Sequence, residues 1–463
     1  MKRNPKIGLL PLYLKLYDDT MPERREPFAA FLESVTKDFE GRGIDVVPAD
    51  VCRLAGEFKA AMDDFEKADV DCVVTLHLAY SPSEESIDVL AGSDLPLTIL
   101  DTTIDHDFGL DADPARLMYN HGIHGVMDMA CMLRRRGKAF QIVAGHATES
   151  EVVARAAGMA RAAYGVRCLR STKALRIGDA FKGMGDFSVD ESVLRDVLGI
   201  EVTQASTDDL ATHTAEITDQ DVEREMTADR ERFECEAPAD VHERSTRICL
   251  GLRRMLEEDG FSAFSMNFLA FDKPDGPTNA VPFMEASKAM ARGIGYAGEG
   301  DVLTASFVGA LAQAFGDTTF TEIFCPDWKG DSLFLSHMGE INPDMVEGKA
   351  KLIEKPFPYT AALNPAALTG AVRPGPATYV NLAPGPDNTF SIISAPVEML
   401  GDGTNADLKL SVRGWMKPRC PVGEFLEQYG RCGGTHHSAL ILGDHTEALS
   451  AIAGFLGCHA VTI

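Results

Sequence analysis

The chain has 463 residues, a length that at ~150 residues per domain implies about three domains with substantial cores. Its 44 basic and 70 acidic residues leave a formal charge of −26, which sets it against phosphate backbones and anionic lipid, so neither nucleic acid nor a membrane is expected as a partner. Hydrophobic residues at 45% and charged residues at 25% are ordinary globular values and exclude a largely disordered chain.

The first third alternates short apolar runs with amphipathic stretches. Strands are expected at Lys6–Leu10, Ile44–Val47, Asp71–Leu78, Leu95–Leu100 and Phe140–Ala144. Helices are expected at Pro27–Arg42, near Glu57–Lys67 and Glu84–Leu90, and at Gly125–Arg136 and Ser150–Tyr164. This alternation predicts a parallel sheet covered on both faces, with functional residues at the carboxyl ends of its strands. From about Arg167 the pattern restarts, with a strand at Ala174–Ile177 and a polar helical zone over Asp219–Arg232. A helix at Ala239–Glu258, a strand at Ala263–Leu269, and helices at Pro282–Arg292 and Asp301–Phe315 follow. Beyond Phe320 the chain turns to Pro, Gly and β-type runs such as Thr378–Leu382, Thr389–Val397 and Leu408–Val412, which read as an antiparallel β domain. The expected division is 1–166 (α/β), 167–328 (α/β) and 329–463 (β).

Ten cysteines stand without a CxxC pair or a dense framework, which reads as reduced thiols in a cytoplasmic protein. The N-terminal segment lacks the long apolar stretch and small-residue cleavage site of a secretory signal, and no window approaches a membrane span.

Several side chains carry chemistry. In Gly298-Glu299-Gly300-Asp301 the glycines mark a turn before a helix. Glu299 there either ligates a metal or moves a proton, or is a solvated neighbour of a capping Asp301. Glu322 lies in the β-prone run Thr319–Cys325, where alternation puts Phe320, Glu322 and Phe324 on one face; a carboxylate between two aromatics needs a partner. His337 follows Leu333-Phe334-Leu335, with Glu340 three residues on as a rival ligand. His436-His437 follows Gly433-Gly434-Thr435, and is either a site of close approach or an exposed turn. Two Glu and two His without Cys form an oxygen and nitrogen set suited to Mn²⁺, Co²⁺ or Mg²⁺. His121 and His124, just before a helix, bind a polyol or carbonyl oxygen or simply pack. No GxxxxGK[ST] phosphate loop and no HExxH helix is present.

Taken together, Ala297–Asp301 (AGEGD), Phe320–Phe324 (FTEIF), Ser336-His337-Met338 with Glu340, and Gly433–His437 (GGTHH) resemble the L-arabinose isomerase family, in its order and with closely similar spacings of 23, 15 and 100 residues between Glu299, Glu322, His337 and His437. Asn120–Gly125 and Gln141–His146 resemble that family's N-terminal domain. The resemblance implies two Rossmann-like domains followed by a β-barrel, and metal ligation by Glu299, Glu322, His337 and His437, the two Glu doubling as an acid/base pair. It implies that His124 reaches a neighbouring subunit's sugar, that Phe268 and His436 lie beside the sugar, and that the chain assembles as a homo-trimer or homo-hexamer. The implied reaction is aldose–ketose isomerisation with Mn²⁺, L-arabinose to L-ribulose leading. Another aldose of the L-fucose, D-arabinose or D-galactose type, a non-catalytic sugar-binding protein and a metal-assisted hydrolase are the alternatives. The segment KIGLLPLYLKLYDD departs from the family's first-strand motif, which bears on the identity of the sugar.

Overall fold

The structure is a computed structural model and describes residues 3–463. The chain divides into two compact units, one comprising 3–167 with 454–457 and the other comprising 168–453 with 458–463.

In the first unit five parallel strands lie in the order Asp45–Pro48, Lys6–Leu12, Cys72–His77, Leu97–Asp101 and Gln141–Ala144. Cys72–His77 is buried at every residue, the signature of a strand covered on both faces. Helices Ala55–Lys67 and Ile123–Arg135 supply one cover, and Phe58, Met62, Phe65, Val126, Met129 and Leu133 pack against the sheet. Gly8 makes room for this cover: a Cβ there would stand 2.6 Å from the Phe65 ring.

The second unit combines two architectures. Four parallel strands lie in the order Gly295–Gly298, Ala263–Met266, Lys173–Ile177 and Glu201–Ala205. Helix Val302–Phe315, apolar nearly all round and buried from Val302 to Ala312, leaves the first of these strands through a tight turn. A six-stranded antiparallel barrel runs Gly375–Pro384, His437–Leu442, Thr318–Asp327, Ser332–Ser336, Gly414–Pro418 and Phe390–Met399, and closes by pairing the last with the first. His459–Thr462 adds in parallel to the outside of Phe390–Met399. Leu335, Tyr379, Ile393, Met416, Phe425 and Leu440 belong to the core of this region. The mixed α/β class with parallel Rossmann-like sheets and a terminal barrel is thus the expected one, the sequence pattern predicting the parallel sheets and an antiparallel β domain and the family resemblance implying the barrel.

Two local expectations are corrected. Leu408–Val412 is not a strand: Asp407–Leu410 is a short 3-10 turn and the strand is Gly414–Pro418. The apolar alternation there buries nothing at Leu410, which is 49% exposed, whereas the polar Arg413 is buried on Asp402. The regular alternation of Phe320, Glu322 and Phe324 is also broken, because a bulge between Ile323 and Cys325 shifts the register and leaves Phe324 exposed.

Candidate metal centre

The site forms where the parallel sheet of the second unit meets its barrel. Strand Gly295–Gly298 ends in a turn whose Glu299 has φ of +63° and Gly300 +85°. The turn is fixed by Glu299 N donating to Met266 O at 2.9 Å and by Phe181 N donating to Glu299 O at 2.9 Å. Side chains are excluded on either side of Glu299. A Cβ on Gly298 would lie 2.7 Å from Cε1 of His337, and one on Gly300 would lie 2.6 Å from the Ala180 backbone. Asp301 then caps the helix, its Oδ1 accepting from Thr304 N at 2.9 Å.

Glu322 lies on the barrel strand Thr318–Asp327, paired to Ser336 on one side and His437 on the other. His337 directly follows the first of these neighbours, and His437 opens the second. Strand pairing therefore brings together three residues that lie up to 115 positions apart in the chain. Glu299, Glu322, His337 and His437 each offer one ligand atom, and these atoms all lie within 4.8 Å of one another. His437 Nε2 is 3.0 Å from Glu322 Oε1 and 3.3 Å from Glu299 Oε2.

Each imidazole at the centre is oriented from behind by a carboxylate. His437 Nδ1 is 2.9 Å from Asp301 Oδ2, and His337 Nδ1 is 2.8 Å from Glu340 Oε2. Glu340 is wholly buried, and both its oxygens are occupied: Gly339 N donates to Oε2 at 2.7 Å and Tyr296 Oη to Oε1 at 2.7 Å. It is a support for His337 and does not join the four converging ligands. Such carboxylate–imidazole pairs fix ring orientation around bound metals.

The electrostatics follow from this packing. Burial pushes the Glu299 carboxyl up, but His436, His437 and His337 together outweigh it and hold the group at about 2. Burial lowers His437, yet Asp301, Glu299 and Glu322 raise it well above the ordinary imidazole value. His337 is likewise lowered by burial and raised overall by Glu340 and Glu322. The centre thus concentrates negative charge beside imidazole nitrogens. Glu299 Oε2 and His437 Nε2 are buried yet make no hydrogen bond. Leaving such atoms unpaired is costly, and a divalent cation between them would satisfy both. The residues present fit a cation of oxygen and nitrogen preference.

Phe268, expected within a strand Ala263–Leu269, instead begins a short 3-10 turn, because the strand ends at Met266. It is buried among aromatics, with ring centroids 5.7 Å from Phe181, 5.6 Å from Phe357 and 6.3 Å from Tyr359. The His436 side chain is 38% exposed, and its Nε2 lies 3.7 Å from both Glu299 and Glu322. His124 belongs to the first unit, in the first turn of helix Ile123–Arg135. Its ring is 5.9 Å from His121, whose Nε2 is 3.1 Å from Tyr17 Oη.

Sequence reasoning missed Asp186 and Phe187, which contact His436 and His437, and the roles of Tyr296 and of the second Asp301 oxygen. For Asp186 a signal existed: it lies in a Gly- and Asp-rich connection after strand Lys173–Ile177, at the carboxyl end of a parallel strand.

The comparisons agree with this geometry. The family model described as the L-arabinose isomerase central domain matches residues 173–315, and that of the L-arabinose isomerase C-terminal domain matches 317–459. Proteins named L-arabinose isomerase are similar along most of their length. One from Nocardioides sp. is 26% identical, covering 91% of this chain and 86% of its own. Another, from Saccharophagus degradans, is 25% identical over 93% and 87%. L-arabinose isomerase 1 of Bacillus licheniformis is 26% identical over 86% and 82%. A solved periplasmic solute binding protein of an ABC transporter from Actinobacillus succinogenes 130z, with bound D-allose, matches over 67% of this chain and 91% of its own at 13% identity, but its TM-score of 0.19 carries no weight. With both family models matching in order, and with the four converging carboxylate and imidazole side chains lying inside the matched segments, the chain belongs to the L-arabinose isomerase family of aldose–ketose isomerases.

Proposed function

We propose that this protein converts L-arabinose to L-ribulose, using a divalent cation, Mn²⁺ ahead of Co²⁺ or Mg²⁺, held by Glu299, Glu322, His337 and His437. The observation that carries the reading is the convergence of these four ligand atoms within 4.8 Å, with Glu299 Oε2 and His437 Nε2 buried and unbonded. When bound, the cation supplies a Lewis acid that stabilises negative charge on the sugar oxygens.

The remaining work belongs to the side chains. Isomerisation moves one proton from C2 to C1 and another from O2 to O1. One carboxylate of the Glu299–Glu322 pair carries the carbon-bound proton and the other carries the hydroxyl proton. Both sit on constrained backbone, Glu299 in a left-handed turn and Glu322 between two paired strands, which supports the fixed geometry that such transfers need. His436 and Phe268 bind the sugar beside them. In the homo-trimer or homo-hexamer that family membership supports, the partner subunit's His124 adds to those contacts. Ten free cysteines support a cytoplasmic setting. No helix among the described residues is long and apolar enough to cross a membrane.

The test is a ketose assay on EDTA-stripped protein, with and without Mn²⁺, against L-arabinose, L-fucose, D-arabinose and D-galactose. Mn²⁺-dependent ketose from L-arabinose is the expected result. Ketose from a different sugar alone would reassign the substrate. Absence of product and of bound metal would overturn the enzyme reading in favour of a sugar-binding protein.

A further inference from the structure

The connection between strand Lys173–Ile177 and helix Glu191–Leu198 runs along the metal centre without regular secondary structure. It is tied down at its start, where Asp179 O accepts from Asn267 Nδ2 at 2.8 Å and Phe181 N donates to Glu299 O at 2.9 Å. Its later part reaches the histidine pair across 250 positions of sequence. Asp186 Oδ2 accepts from the backbone N–H of His436 at 2.9 Å and lies 2.6 Å from its Nδ1. The next residue, Phe187, lays its ring flat against His437, with centroids 4.9 Å apart and planes 8° apart. Two consecutive side chains therefore hold two consecutive histidines.

The two contacts differ in consequence. His437 is fully buried and already fixed by Asp301, so Phe187 adds packing. His436 is 38% exposed, and packing alone leaves such a ring free to change rotamer. The Asp186 contact removes that freedom and commits the Nδ1 hydrogen. Nε2 is then the ring atom facing the carboxylates, 3.7 Å from Glu299 Oε2 and 3.7 Å from Glu322 Oε1. These separations are too long for direct hydrogen bonds and leave Nε2 available to a hydroxyl placed between the carboxylates.

We propose that Asp186 is a positioning residue for the isomerisation, fixing the His436 imidazole with its Nδ1–H toward Asp186 so that Nε2 meets a hydroxyl of the sugar between Glu299 and Glu322. The sugar contact rests on the isomerase reading above, whereas the orientation of His436 does not. A single oxygen makes both bonds, so acceptor geometry is what matters. Asparagine keeps such an oxygen and alanine does not. Asp186 is itself partly exposed, so neither replacement threatens a core.

The experiment compares wild type, Asp186→Asn and Asp186→Ala as full-length proteins, loaded with Mn²⁺ for the kinetic arm and with diamagnetic Mg²⁺ for the spectroscopic arm. One arm measures kcat, KM and bound metal per chain. The other records ¹⁵N spectra of histidine-labelled protein at one pH, with the His436 signals assigned by their loss in His436→Gln. In D186A, kcat/KM is expected to fall ~10- to 100-fold at unchanged metal content, as for lost supporting bonds around a site. D186N is expected to stay within about threefold of wild type, because its carboxamide oxygen accepts the same two bonds. The Nδ1 resonance of His436 should lie in the hydrogen-bearing range in wild type and D186N, and move in D186A. An unchanged kcat/KM in D186A, equal losses in both variants, or identical His436 nitrogen spectra in wild type and D186A would overturn the proposal. Should wild type form no ketose from any aldose, the isomerase reading and the sugar contact fail together, and the nitrogen spectra still decide whether Asp186 orients His436.

Discussion

Glu299 holds a left-handed backbone conformation, φ +63°, which costs a non-glycine residue on the order of 1–3 kcal/mol. The surrounding hydrogen bonds to Met266 O and from Phe181 N over-determine the turn, so the strain aims a carboxylate into the site. Replacing that carboxylate by an amide of the same size should leave the turn intact. Glu299→Gln and Glu322→Gln are each expected to lower kcat by ~10²- to 10⁴-fold, the range for losing a positioned acid or base, with the far-ultraviolet circular dichroism spectrum unchanged. Near-wild-type turnover of either variant would remove that residue from the acid/base pair. Asp301 has two tasks, with one oxygen on Thr304 N and the other beside His437 Nδ1. Asp301→Ala should therefore lose about 1 kcal/mol of helix capping and weaken Mn²⁺ binding ~10- to 100-fold. Isothermal titration checks the second number, and undiminished affinity would show that His437 needs no such support. The four converging residues were legible because they sit in short, unusual strings such as GEGD and GGTHH. Their supports were not. Glu340 reads as a rival ligand until Tyr296 and Gly339 are seen to occupy its oxygens, and Asp186 meets His436 only through the fold.

At the scale of elements, the site depends on how closely helix Val302–Phe315 lies against strand Gly295–Gly298. A Cβ on Gly295 would fall 1.9 Å from Ala305 O and 2.4 Å from Gly309 N, so the helix could not keep its place. Gly295→Ala is expected to destabilise the protein by about 1–3 kcal/mol, as overpacking does, and to lower kcat as well, because the displaced helix begins at the Asp301 cap. Gly430→Ala, on the exposed face of helix Val422–Arg431 with nothing within 4 Å of its added carbon, is the control: its effect should be neutral or stabilising by at most ~1 kcal/mol. Thermal unfolding of both variants measures the contrast, and equal midpoints would show that the close approach is not needed. Most buried helices and strands of the parallel sheets were legible from periodicity, since apolar-rich runs such as Cys72–His77 need cover on both faces, but the buried strand Gly295–Gly298 was not, because its glycines read as a turn. Strand Glu201–Ala205 was not, because it is an edge strand with one buried residue in five and carries no hydrophobic run. Nor does local sequence reveal that His437–Leu442 lies beside Thr318–Asp327, a pairing that closes over more than a hundred residues.

For the whole molecule, a charge of −26 makes the few buried cations decisive for how stability responds to acid. In the second unit, helices Asp219–Arg232, Ala239–Glu258 and Phe283–Ala291 are joined by one ionic network. Glu225 accepts from Arg253 at 2.7 and 3.0 Å and from Lys288 at 2.8 Å. Arg253 also reaches Glu285 at 2.8 Å, Arg292 pairs with Glu285, and Lys288 pairs with Asp229, which lies 3.0 Å from His242. Burial raises the Glu225 carboxyl, but Arg253 and Lys288 outweigh it and bring the group from 4.5 down to about 2. A folded-state value below the unfolded one means that the ionised form favours the fold. That contribution is complete above about 4.5 and is lost as the pH falls through about 2. Allowing for solvent screening at its exposed edge, it is on the order of 2 kcal/mol. Glu225→Gln should accordingly lower the urea midpoint clearly at pH 7, where wild type carries the charge. The difference between the two proteins should shrink progressively below pH 4.5, because protonation makes the wild-type carboxyl resemble the amide. A difference independent of pH would mean that Glu225 stabilises the helices by hydrogen-bond shape alone, and that the charge of the network does not set the acid limit of the fold.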